Sequence, residues 1–159
     1  MKYILSVLLF FAACADKDGT SLTDITSPAM ESEPTTDEFV TLINNHRIDI
    51  GLDTLNFAAK LNSIAQSHSN NMAKGSVIFG HTGFSSRCAE ARSAMGGGNL
   101  CAENVAMGQK NAEAAYSAWM NSSGHKANIE QLRMTHSGFG YAKSSSGTLY
   151  WTEIFLEAN

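Results

Sequence analysis

One amphipathic stripe limits what this chain can become. Phe57, Leu61, Ile64, Ala65, His68 and Met72 recur at helical spacing, and Gly75 follows as a natural stop. A helix with so continuous an apolar face must be covered by another layer. Upstream, Thr35-Thr36-Asp37-Glu38 has the form of a capping box with acids in the first turn. Phe39, Leu42, Ile43 and His46 then repeat at helical spacing up to Gly51. Asn45 and Arg47 on that helix read as structural residues rather than ligands, and Leu52–Leu55 as a connector. Downstream, a third helix is expected over roughly residues 111–121, burying Ala112, Ala115, Tyr116 and Trp119, with Gly124 ending it. Two strands, 137–144 and 148–156, flank the turn Ser145-Ser146-Gly147. On the last strand Tyr150, Thr152, Ile154 and Leu156 share one face, and Leu149, Trp151, Glu153 and Phe155 the other. Three helices and a carboxy-terminal hairpin predict an α+β layer fold.

The folded region is expected to start at residue 37. Met1-Lys2 is a short positive segment, and Tyr3–Ala13 is an apolar run of 11 residues. Such a run is too short to span a bilayer but suits an export signal. It ends in Phe11-Ala12-Ala13-Cys14, which resembles the lipobox of bacterial lipoproteins, with Phe11 where Leu is usual. Residues 1–14 are therefore read as a lipoprotein-type signal, with Cys14 carrying lipid; the alternative is an ordinary secretory signal. Residues 15–36 are rich in Ser, Thr, Asp and Glu and contain both prolines, Pro28 and Pro34. They are expected to form a flexible tether spanning roughly 25 Å. A domain over 37–159 follows, exported and held at the membrane through its anchor.

Charge and cysteine usage narrow the partners. From Phe39 onward nine Lys/Arg face eight Asp/Glu, so there is no basic stripe and nucleic acid is not expected. If Cys14 is lipidated, Cys88 and Cys101 remain as an even pair in an exported protein and are expected to form a disulfide; two free thiols are the alternative. The segment 85–100, with Gly96-Gly97-Gly98, reads as a loose loop stapled at its ends. The triplet is no phosphate loop, since no Gly-Lys-Ser/Thr follows.

Three polar residues stand out. His81 is bracketed by Gly80 and Gly83. Glu103 lies in the compact segment Cys101–Ala106, where a buried carboxylate would need a partner, His81 and His125 being the available ones. His125 follows Gly124 directly. His68, inside the apolar stripe, reads as a hydrogen-bonded core residue.

In order along the chain, the segments 42–47, 65–73, Gly80–Gly83, Ala102–Ala106, Trp119–Ile129, Gly138–Ala142 and Tyr150–Thr152 resemble the CAP superfamily in its bacterial form, also called the SCP domain. The resemblance spans about residues 37–156. It implies an α-β-α sandwich with a small antiparallel sheet between helices and a central cleft carrying a His/Glu cluster. In the eukaryotic branch that cluster is two His and two Glu. His81, Glu103 and His125 match three of them. The second Glu would fall near Asn121-Ser122-Ser123, where no carboxylate stands, and Ser123 replaces the Pro usual in bacterial members.

Two imidazoles and a carboxylate could form an open Zn²⁺ site, run acid–base chemistry without metal, or simply hold loops together. No Gly-x-Ser-x-Gly and no His-Glu-x-x-His is present. The expected function is a non-catalytic binding module whose cleft, with His81, Glu103, His125 and Asn128, holds a divalent metal (Zn²⁺), small molecule, lipid or peptide. The alternative is an envelope hydrolase using His81, Glu103 and His125.

Overall fold

The computed structural model describes residues 36–158. The signal segment, Cys14 and the tether up to residue 35 lie outside the described residues. Five helices and four strands follow one another as α1 (Thr36–Asp49), β1 (Asn56–Phe57), α2 (Ala59–Ala73), α3 (Phe84–Met95), β2 (Cys101–Met107), α4 (Ala112–Met120), α5 (Ser123–Ile129), β3 (His136–Lys143) and β4 (Leu149–Leu156). The sheet order is β1-β3-β4-β2. The three long strands are antiparallel, and the two-residue β1 adds a parallel pairing to β3, so the sheet is mixed.

The two faces of β4 sort the helices into layers, because alternate side chains point to opposite sides. Trp151 and Phe155 join Phe39, Ile43, Ala112, Ala115, Trp119, Ile129 and Phe139 in one core, under α1, α4 and α5. Ile154 and Leu156 join Leu61, Ile64, Ala65 and Ala91 in the other, under α2 and α3. This is the expected α-β-α sandwich. The strand of small residues in β3 has a direct purpose. A methyl at Gly138 would overlap the backbone of Leu61, and one at Gly140 the backbone of Gln66, so these glycines let α2 lie against the sheet.

Three elements differ from the sequence expectation. The segment 85–100 is not a loose loop: Phe84–Met95 is helical, capped at both ends by glycines with positive φ, Gly83 (81°) and Gly96 (78°). Gly124 does not end the third helix. That helix stops at Met120, and Gly124 and His125 lie inside α5. Phe57, read as the start of the amphipathic stripe, instead pairs in β1 with Ser137.

Arg47 is a buried staple. Its guanidinium donates to the carbonyls of Asp53 (2.8 Å), Ile129 (2.6 Å), Gln131 (3.2 Å) and Met134 (3.4 Å), tying α1 to the chain after α5. Among the described residues no helix is long and apolar enough to cross a membrane.

Candidate functional site

β2 is an edge strand, and the site is built on that edge. The bonds Glu157 N–H to Leu100 C=O and Gly108 N–H to Leu149 C=O set the ladder phase. Even-numbered residues of β2 bond to β4, and the backbone groups of odd-numbered ones point outward. An exposed edge would invite pairing with another chain. Here α4 and α5 cover it with side chains. Trp119 Nε1 donates to the Val105 carbonyl (3.1 Å), and Asn128 Nδ2 to the Glu103 carbonyl (3.4 Å). Asn128 Nδ2 also donates to Asn104 Oδ1 (2.8 Å), and Asn104 Nδ2 to the His125 carbonyl (3.1 Å). The stretch Trp119–Ile129 therefore locks the outer edge of the sheet.

Glu103 points to the opposite face from Asn104, toward α3 and the loop before it. Its side chain is 1 % exposed, and it is multiply bonded. Oε1 accepts from His81 Nδ1 (2.9 Å) and from Arg87 Nη2 (2.8 Å), and Oε2 accepts from Arg87 Nε (2.6 Å). The pairing with Arg87 is a two-pronged fork, the strong form of a charge-assisted hydrogen bond. His81 is half exposed, and its contact to Glu103 directs Nε2 away from the carboxylate.

His68 holds this arrangement from behind. It is buried in α2, and its Nε2 donates to the Gly80 carbonyl (2.8 Å), fixing the residue before His81. Burial pushes its pKa below the usual histidine value; the Gly80 bond opposes that shift, and the nearby Arg87 charge adds to it. The core reading of His68 fits this placement.

His125 lies one turn before Asn128 on α5, its ring 6.5 Å from that of Trp119. Burial lowers its pKa, and a charge on His81 lowers it further. His81 and His125 thus share one electrostatic neighbourhood, but no hydrogen bond joins His125 to His81 or Glu103. His81, Glu103 and Asn128 do meet. With Phe84, Cys101 and Ala102 they line a cleft of about 350 Å³. A larger cavity of about 570 Å³, between the start of α2 and the end of α3, has only Lys60 as a titratable wall residue and carries no such chemistry.

Cys88 and Cys101 form a disulfide with Cα atoms 6.0 Å apart. It joins α3 to β2 one residue from Arg87 and two from Glu103. Arg87 and Asn104 are the site residues that sequence reasoning missed. The cysteines carry a partial signal for Arg87: a bond between 88 and 101 brings the chain around 87 near the chain around 103.

The model of the cysteine-rich secretory protein family, CAP, matches residues 40–155. The chain belongs to the CAP family. It is 48% identical over 54 residues to the uncharacterized protein YkwD of Bacillus subtilis (strain 168), a stretch covering 34% of this chain and 20% of that one. The CAP domain described here thus matches about a fifth of that relative's length. Among solved structures it resembles an extracellular protein containing a SCP domain from Bacillus anthracis (TM-score 0.65, 24% identity, covering 76% of this chain and 39% of that one). It also resembles an outer surface protein of Borrelia burgdorferi (TM-score 0.65, 19% identity, covering 80% of this chain and 98% of that one). At these identities the likeness speaks to the fold.

Proposed function

We propose that this CAP domain is an exported, lipid-anchored, non-catalytic binding module whose β2-edge cleft takes a small molecule, lipid or peptide. One observation carries the reading: Glu103 is 1 % exposed and three of its four lone-pair positions are taken by Arg87 and His81. With Oε1 and Oε2 held by Arg87 and His81, it cannot accept a substrate proton without giving up its ion pair. The residues lining the cleft include no hydroxyl, and the one sulfur among them, Cys101, is bonded to Cys88. What stays open is recognition chemistry. His81 Nε2 can donate or accept, and Phe84 and Ala102 supply apolar contact. A divalent metal is a weaker second ligand class, because Glu103 is paired with Arg87 and only the His81 and His125 imidazoles are left to offer. These two imidazoles would hold it, with Glu103 orienting His81 through Nδ1. Bound there, Zn²⁺ would supply Lewis-acid character to a further ligand.

A screen of ester, peptide and glycan substrates is expected to show no turnover that depends on the cleft. Turnover lost in Glu103→Gln would replace the binding reading with the hydrolase one. The anchor has its own test. Palmitate should label the protein at Cys14, and Cys14→Ser should release it from the membrane fraction; a Cys14→Ser protein that stays membrane-bound refutes lipid anchoring. Support for export comes from the apolar run before Cys14 and from the fold's likeness to extracellular and outer surface proteins.

A further inference from the structure

We infer that Arg87 decides what the cleft accepts: its guanidinium is a built-in cation that keeps Glu103 out of metal coordination, leaving the cleft set for uncharged or anionic groups rather than for a dication. This rests on the reading of the cleft as a binding site. The sequence suggests His81, Glu103 and His125 as three ligands of one ion. The donor set does not fit that arrangement. Arg87 Nε and Nη2, at 2.6 and 2.8 Å, and His81 Nδ1 take three of the four lone-pair positions of Glu103, and the one left, on Oε2, belongs to a side chain only 1 % exposed. Any ion bound there would also lie beside the positive charge of the Arg87 guanidinium. Among the described residues no group of three or more His, Cys, Asp or Glu is disposed to hold a metal. His81 and His125 alone are two ligands short of a tetrahedral shell.

Arg87 is built into this place rather than resting there. Its third nitrogen, Nη1, donates to the Thr82 carbonyl at 2.7 Å, which fixes the plane of the fork. Residue 83 makes room for it: a Cβ at Gly83 would stand 3.3 Å from Nη1, on a backbone with φ of 81° that side chains rarely adopt. The Cys88–Cys101 disulfide clamps α3 to β2 beside the pair. Arg87 is 12 % exposed and Glu103 1 %, so solvent barely competes for either partner. Arg87 touches no ligand position itself. It is a positioning residue that sets the charge and the availability of Glu103.

Zn²⁺ titrated into the full chain is the probe, read by calorimetry and by the side-chain carboxyl ¹³C signal of Glu103, assigned through Glu103→Gln. In the wild type that signal should stay in place at saturating Zn²⁺. In Arg87→Met it should move, Zn²⁺ should bind about tenfold more tightly or better, and Arg87→Met/Glu103→Gln should lose the gain. Movement of the Glu103 signal in the wild type to the position it takes in Zn²⁺-bound Arg87→Met overturns the role of Arg87 while leaving the cleft as a binding site. Equal Zn²⁺ affinity in folded Arg87→Met and wild type overturns it as well. If instead all Zn²⁺ binding survives His81→Ala/His125→Ala, the metal reading of the cleft fails.

Discussion

Glu153 should make the protein less stable as pH rises through neutrality, and Glu153→Gln should remove the effect. The residue lies fully buried on β4, opposite Asn104 of β2 and Phe139 of β3. One carboxyl oxygen accepts from Ser137 Oγ at 2.7 Å, and the other has no hydrogen-bond partner. The nearby Arg47 spends its guanidinium on backbone carbonyls. Burial therefore pushes the carboxyl from 4.5 up to about 8, with Ser137 and Arg47 opposing the shift only in part. At pH 7 the native state keeps the proton and the unfolded chain has lost it. The protonated form is the one the fold tolerates. Its advantage is complete below the unfolded value and gone once pH passes the folded one, so stability falls between 4.5 and about 8. At roughly 1.4 kcal/mol per pH unit, the loss by pH 7 is about 3 kcal/mol. Glutamine keeps the shape without the proton equilibrium. Urea melts followed through the buried Trp119 and Trp151, with the disulfide intact, should show the variant's advantage growing by about 3 kcal/mol between pH 4.5 and 7, or about 10 °C in Tm. Histidine titrations are common to both proteins and cancel in the difference. A difference that does not change with pH would mean that Glu153 is ionised in the native state, and the burial argument would be wrong.

Four further outcomes rest on the same geometry. In the Glu153→Gln background, stability should fall as pH drops below about 6.5, because buried His68 and half-buried His125 resist a proton that the unfolded chain accepts; His68→Gln should flatten part of that fall in melts at pH 5 and 7. Replacing Cys88 and Cys101 with serine should cost about 3 kcal/mol in the chain-entropy description of a closed loop with separation 13, measured by urea unfolding; unchanged stability would refute the constraint. Gly140→Ala should destabilise by about 1–3 kcal/mol or more, since the methyl meets the backbone of Gln66. Gly124→Ala, inside α5 with nothing within 4 Å, should stabilise by up to about 1 kcal/mol, both read as shifts in Tm.

Much of this protein is written in local pattern. The apolar periods of α1 and α2, the hairpin at Ser145-Ser146-Gly147 and the even pair Cys88 and Cys101 are short-range signals, and short-range physics sets them. The ordered motifs around His81, Glu103 and Trp119–Ile129 also identify the family from sequence alone. Other elements carry no strong local signal. In α3 only Cys88 and Ala91 are buried, so its sequence shows no clear stripe. β2 is made largely of small and polar residues and becomes a strand because β4 offers it a ladder. Gly124 reads as a stop, yet it stands in the first turn of a new helix, α5, whose Ile129 packs into the core.

The site shows the same division most clearly. The likeness to the CAP family put His81, Glu103 and His125 in one cluster, and the sequence could say that a buried carboxylate needs a partner. Which partner it takes depends on how α3 lies across β2, a relation between elements that the disulfide and the sheet order set. Arg87 looks like any surface arginine until that packing places its fork on Glu103. Electrostatic pairing depends on distance in space, and only the tertiary fold supplies that distance.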